Sequence, residues 1–187
     1  MLSVDQLSDA LFEKIATREI VERLNRISGT DVTVLIQGED GTGKGLVAEA
    51  IHCSSARRSA RFAVVNCSAS NETALESQLF GHVRGAFADA LTERVGSFEH
   101  AHGGTLLLDD LGDMPLPTQG KLLQALENGE IIRLGSNDAI EINVRVIAAT
   151  NRGLERDVEA GTFRSDLYHA LRVVVIRLPA LVGRSTD

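Results

Sequence analysis

Gly38-Glu39-Asp40-Gly41-Thr42-Gly43-Lys44 has the spacing G-x-x-x-x-G-K, and what flanks it decides the fold. Upstream, Val32-Thr33-Val34-Leu35-Ile36 reads as a buried strand. Downstream, Leu46-Val47-Ala48-Glu49-Ala50-Ile51-His52 has the apolar spacing of an amphipathic helix. Strand, glycine-rich loop and helix in that order make an anion-binding corner. The glycines let backbone N–H groups face a polyphosphate, the helix N-terminus adds partial positive charge, and Lys44 can reach the β- and γ-phosphates. Gly38, Glu39, Asp40, Gly41, Thr42, Gly43, Lys44 and Gly45 are therefore the candidate nucleotide-binding set. At Gly45 the usual pattern has Ser or Thr, whose hydroxyl helps to hold Mg²⁺.

Such a loop needs a carboxylate at the end of a second buried strand, and Gly103-Gly104-Thr105-Leu106-Leu107-Leu108-Asp109-Asp110 supplies one. Asp109 is the expected Mg²⁺ ligand, directly or through water. Asp110 is placed to orient or deprotonate an attacking water, as a general base must be. Alone, the run would read as a core strand whose polar end enters the turn Leu111-Gly112-Asp113-Met114-Pro115. A third strand, Val144-Arg145-Val146-Ile147-Ala148-Ala149, delivers Thr150 and Asn151 at its carboxyl end, where ligands bind in open α/β sheets. Asn151 could sense the γ-phosphate or hold the water, although an Asn after a strand also forms turns unaided.

These segments resemble the AAA+ ATPase domain of bacterial enhancer-binding proteins, the NtrC-type activators that remodel RNA polymerase carrying sigma-54. The likeness runs over about residues 31–181, through Leu79-Phe80-Gly81-His82, Gly85-Ala86-Phe87, Gly103-Gly104-Thr105-Leu106, Val144-Arg145-Val146-Ile147-Ala148-Ala149-Thr150-Asn151 and Phe163-Arg164-Ser165-Asp166-Leu167-Tyr168. It implies a P-loop NTPase fold of AAA+ type, a three-layer αβα sandwich with a mainly parallel central sheet. Residues 38–44 match the family's Walker A loop, Asp109 with Asp110 its Walker B pair, and Asn151 its sensor I. Asn66 falls where the family has an Asn that can hold the catalytic acid away from ATP until the partner is engaged. Arg164 falls at an arginine finger that reaches into a neighbouring subunit's site. ATP and Mg²⁺, self-association into a hexameric or heptameric ring, and a sigma factor of RNA polymerase as partner are further implications.

The departures from the family pattern carry their own chemistry. Its catalytic acid is Glu, and Asp110 is shorter by one methylene, so a water positioned for Glu lies too far for efficient proton abstraction. A second trans-acting arginine is replaced by Ala170, and Gly45 stands where the family usually has Glu. The family's partner loop reads GAFTGA, and here it is Gly85, Ala86, Phe87, Ala88, Asp89, Ala90. Phe87 is retained as the apolar contact, expected exposed near the tip of a mobile connection over residues 81–96. Ala88 lacks the Thr hydroxyl, and Asp89 replaces a glycine with a charge that must be desolvated at a buried contact. These changes set the loop against stable binding of sigma-54.

The chain of 187 residues is 43% hydrophobic and 24% charged, enough for one sizeable core and one domain. Its net charge of -7 gives no general attraction to DNA or to anionic membrane, so neither is expected as a direct partner. The two cysteines, Cys53 and Cys67, have no zinc or C-x-x-C spacing and are expected to be reduced, buried thiols. No apolar run of signal-peptide or membrane-spanning length opens the chain, which points to the cytoplasm.

Periodicity predicts an opening helix within residues 1–30, a strand over 62–66, helices over 72–80 and 117–127, a hairpin over 130–142 and a last core strand over 173–179. Related proteins continue into a helical lid with a sensor II arginine and then a DNA-reading helix-turn-helix, and residues 1–187 are expected to hold neither. Two functional readings follow. In one, this is the ATPase core of a sigma-54-dependent-type activator. In the other, Ala88, Asp89, Asp110 and Ala170 make it a hydrolysis-poor nucleotide-binding module that does not engage sigma-54.

Overall fold

The computed structural model describes residues 18–68 and 71–180. Helix α1 (Arg18–Ser28) leads into β1 (Val34–Gln37), α2 (Lys44–Cys53) and β2 (Phe62–Asn66). Next come α3 (Glu72–Phe80), the short α4 (Ser97–His100), β3 (Thr105–Asp109), a 3-10 turn (Leu111–Asp113) and α5 (Leu116–Asn128). The chain then forms the hairpin β4 (Glu130–Ile132) and β5 (Ala139–Glu141), followed by β6 (Arg145–Thr150), α6 (Leu154–Glu159), α7 (Ser165–Leu171) and β7 (Val174–Arg177). The expected opening helix is described only from Arg18 onward, and its earlier part lies outside the described residues.

Strands β2, β3, β6, β1 and β7 lie side by side in that order, every pairing parallel, in a five-stranded sheet. Side chains alternate between its two faces, because successive residues of a strand point to opposite sides. Leu35, Leu106, Leu108, Val146 and Ala148 pack with α3, α5 and α7 on one face. Val34, Ile36, Leu107, Ile147 and Ala149 pack with α1 and α2 on the other. Both faces are covered, so the central strands read as unbroken apolar runs. All strands of the sheet end on one side, and Gln37, Asn66, Asp109, Thr150 and Arg177 stand along that edge.

Observed strands differ from expectation at their starts, for local reasons. The first strand begins at Val34 and not at Val32, because the Val32 carbonyl accepts a bond from Arg145 Nε at 3.4 Å. Arg145 is 1% exposed, and its guanidinium also donates to the carbonyls of Ser28 at 3.3 Å and Ile27 at 2.9 Å. It thereby ties the end of α1 to the sheet. At the same rim Arg57 bonds both Asp31 oxygens, at 3.0 and 3.2 Å. Cys67 is buried as expected, but Cys53, in the last turn of α2, is only half-buried.

Candidate nucleotide-binding site

The loop after β1 turns sharply and is tied to its neighbours. Gly38 N donates to the Thr150 carbonyl at 3.2 Å, anchoring the loop to β6. A Cβ on Gly38 would lie 2.7 Å from Thr42 Oγ1, so the close approach requires glycine. Gly41 and Gly43 have φ of 79° and 93°, in the left-handed region that side chains disfavour. Gly43 is the N-cap of α2, and no side chain caps that helix, so its first N–H groups open into the loop. Their alignment gives this end partial positive charge.

Lys44 is 7% exposed and folds back over the loop, its Nζ donating to the carbonyls of Gly38 at 2.8 Å and Glu39 at 2.9 Å. Asp40 Oδ1 stands 3.9 Å from the same ammonium and accepts a bond from Asn151 Nδ2 at 2.9 Å. The structure therefore brings Asp40, Lys44 and Asn151 together across the mouth of the loop. A cavity of about 380 Å³ opens beside them, lined by Gly38, Glu39, Asn151 and Leu178 among others.

At the end of β3, Asp109 pairs in register with Asn66 of β2. Its Oδ1 accepts the Asp110 backbone N–H at 3.0 Å. Asp110 has φ 51°, and among the described residues it alone, apart from glycines, lies in the left-handed region. Asp tolerates that conformation better than most residues, and held strain of this kind marks a position where the side chain's direction matters. Asn66 does not bond Asp110 directly. Its Oδ1 accepts from Ser68 N at 2.9 Å and Ser68 Oγ at 2.7 Å, and the same hydroxyl stands 3.3 Å from Asp110 Oδ2.

Arg164 is not brought to this cluster. It precedes α7, its guanidinium forms a two-point pair with Asp166 at 3.0 and 2.8 Å, and its N–H donates to Gln119 Oε1 at 2.8 Å. That pair holds the Asp166 carboxyl down at about 2. Gln119, fully buried in α5, is fixed in turn by the carbonyls of Met114 and Thr162 at 2.8 and 3.1 Å.

Residues 81–96 are not an open connection. A Cβ on Gly81 would lie 2.4 Å from the Arg94 carbonyl, and one on Gly96 would lie 2.3 Å from Gly81 N, so the two ends touch. His82 bridges both Arg94 and Leu134, which joins this neck to the residues that follow β4. At the tip, Gly85 N donates to Ala90 O at 2.8 Å and Ala90 N to Phe87 O at 3.0 Å, closing residues 85–90 into a turn with Ala90 buried.

Phe87, expected exposed, is half-buried and meets the His82 ring edge-on, centroids 4.9 Å apart at 72°. His82 is held by Ser77 Oγ at 2.7 Å and the Thr92 carbonyl at 2.8 Å. A carbonyl only accepts, so Nε2 donates to it, and Nδ1 pairs with the Ser77 hydroxyl. Exposed instead are Ala88, Asp89 and Leu91, the last at 78%.

Sequence reasoning missed Ser68, Gln119 and the His82 latch. Gln119 carried a signal, a polar residue on the inward stripe of a helix. Ser68 and His82 carried none: Ser68 meets Asp110 only because β2 and β3 run in register, and His82 is placed by the Ser77 hydroxyl and the Thr92 carbonyl.

A family model described as the Sigma-54 interaction domain matches residues 11–177. The chain is 49% identical over 177 residues to the Sigma54-dependent transcriptional activator SfnR of Pseudomonas putida, covering 95% of this chain and 48% of that protein. It is 48% identical over 180 residues to the transcriptional regulatory protein GlrR of Escherichia coli K12, covering 94% of this chain and 40% of that one. The chain thus spans less than half the length of these relatives. Among solved structures, NtrX from Brucella abortus in complex with ATP superposes with a TM-score of 0.82 at 37% identity, covering 89% of this chain and 36% of that one.

Proposed function

Since this chain belongs to the sigma-54 interaction domain family, we propose that it is the ATP-binding AAA+ core of a sigma-54-dependent-type transcriptional regulator. ATP binds at residues 38–45, and its binding and hydrolysis are coupled to remodelling of RNA polymerase through residues 85–90. The observation that carries this is Lys44, a buried ammonium held by carbonyls of its own loop at the uncapped head of α2. A polyphosphate oxygen can replace those carbonyls and receive a stronger, charge-assisted bond.

Asp110 takes a proton from water as the water oxygen attacks the γ-phosphorus and ADP leaves, while Asn151 contacts the γ-phosphate or the water. The donor set at Asp109 suits Mg²⁺, a hard cation that prefers carboxylate oxygens, and one of its oxygens is already oriented by the Asp110 amide. When bound, the ion would offset charge on the phosphates. Arg164 faces outward and acts on the neighbouring copy in a hexameric or heptameric ring, leaving Asp166 for that copy's phosphate.

Calorimetry tests the site. Mg-ATP should bind the unchanged chain, and Lys44→Ala should abolish detectable binding, whereas undiminished affinity in that variant would refute the assignment. A second reading, a nucleotide-binding module with poor hydrolysis and no hold on sigma-54, is supported by the exposed Asp89 carboxylate and by the shorter acid at Asp110. Binding without phosphate release in a single-turnover experiment separates it from the first.

A further inference from the structure

We propose that Ser68 is a positioning residue for ATP hydrolysis, its hydroxyl joining Asn66 to the carboxylate of Asp110. The inference rests on the reading of Asp110 as the group that receives the water's proton. Strands β2 and β3 stay in register to Asn66 and Asp109, so Asp110 lies one residue past the pairing and turns away in the left-handed region. No hydrogen bond joins its carboxylate to Asn66, and the Ser68 hydroxyl contacts both, 2.7 Å from Asn66 Oδ1 and 3.3 Å from Asp110 Oδ2.

A serine hydroxyl has one proton and donates to one of these oxygens at a time. Turning it from Asn66 to Asp110 leaves Asn66 still held, because Ser68 N donates to the same Oδ1 at 2.9 Å. The hydroxyl therefore has two settings. In one it grips Asn66 and releases the carboxylate. In the other it fixes the carboxylate through a charge-assisted bond and aims its remaining oxygen at the water. A Glu at position 110 would span that gap with its own methylene and make Ser68 dispensable.

The test compares Ser68→Ala, Ser68→Thr, Asp110→Glu and the double variant Ser68→Ala/Asp110→Glu in the full chain, by single-turnover phosphate release and by calorimetry with Mg-ATP. Ser68→Ala should slow the chemical step about 10-fold and leave ATP affinity within about 2-fold. Ser68→Thr, which keeps the hydroxyl, should restore the rate to within about 3-fold of the unchanged chain. In the Asp110→Glu background the same Ser68→Ala change should alter the rate less than about 2-fold.

An equal loss in both backgrounds, no loss with Ser68→Ala, or no recovery with Ser68→Thr would overturn the proposal while the ATPase reading stands. Phosphate release absent throughout, with ATP still bound, would overturn the proposal and leave only the hydrolysis-poor reading. If ATP does not bind the unchanged chain, both fall.

Discussion

Asp40 sits at the mouth of the phosphate loop with an exposed carboxylate, 3.9 Å from the Lys44 ammonium and bonded to Asn151. Both of those groups are assigned to the polyphosphate, so a phosphate must displace or approach an anion already there. Like charge at that range is partly screened by water, and Asp40→Ser should raise ATP affinity by about 3- to 10-fold, most at low ionic strength. Titration calorimetry at two salt concentrations checks this, and unchanged affinity at both would remove Asp40 from the competition. The loop's position was legible because its glycines and lysine are local. Which groups face the lysine was not legible, since that depends on where β6 delivers Asn151.

At the scale of elements, two glycines make opposite predictions. Gly96 has an ordinary φ of -87°, so only its neighbours exclude a side chain, and a Cβ there would meet the backbone of Leu79, Phe80 and Gly81 within 2.6 Å. Gly96→Ala should therefore destabilise the chain by about 1–3 kcal/mol, read from the urea midpoint. Gly45 lies in α2 with nothing within 4 Å of an added Cβ, and Gly45→Ala should stabilise by about 0.5 kcal/mol by the same measurement. Phe87→Ala should expose residues 82–95 to faster proteolysis by removing the His82 contact, and an unchanged cleavage rate would count against the latch. Strands β3 and β6 were read from sequence almost to the residue, because burial on both faces leaves an unbroken apolar run. The loop was read as open because the bonds that close it, His82 with Arg94 and Gly85 with Ala90, run through backbone and leave no side-chain pattern.

Across the whole molecule, buried titratable groups set the pH window of stability. Burial pushes the Cys67 thiol from 9.0 up to about 12, with Asp109, Asp110 and Asp113 adding to it. The folded state then holds a proton that the unfolded chain releases, so stability falls as pH rises above about 9, by up to 1.4 kcal/mol per unit for this group. His52 is shifted down from 6.5, chiefly by burial, with Arg145 adding to the effect. There the unfolded chain binds the extra proton, so this contribution is present above 6.5 and is lost as pH falls through the lowered folded value. Urea midpoints across pH should show both flanks, and Cys67→Ala should flatten the alkaline one. Arg145 holds α1 to the sheet through carbonyls, and Arg145→Ala should cost about 1–3 kcal/mol, chiefly by taking the donor from the Ser28 carbonyl, since Thr30 still donates to that of Ile27. No pattern in the sequence separated this arginine from the apolar strand it opens. Its role follows from the carbonyls at the end of α1 that face its guanidinium.

The touching glycines at 81 and 96 also make the segment between them an exchangeable cassette. A loop whose two ends meet each other and are also tied to the Leu134 backbone is held as one unit at its base. Changes to the exposed side chains of Ala88 and Asp89 therefore leave in place the backbone bonds that close the turn. Grafting residues 82–95 from a chain with the same pair of glycines should carry its contact preference across as a unit.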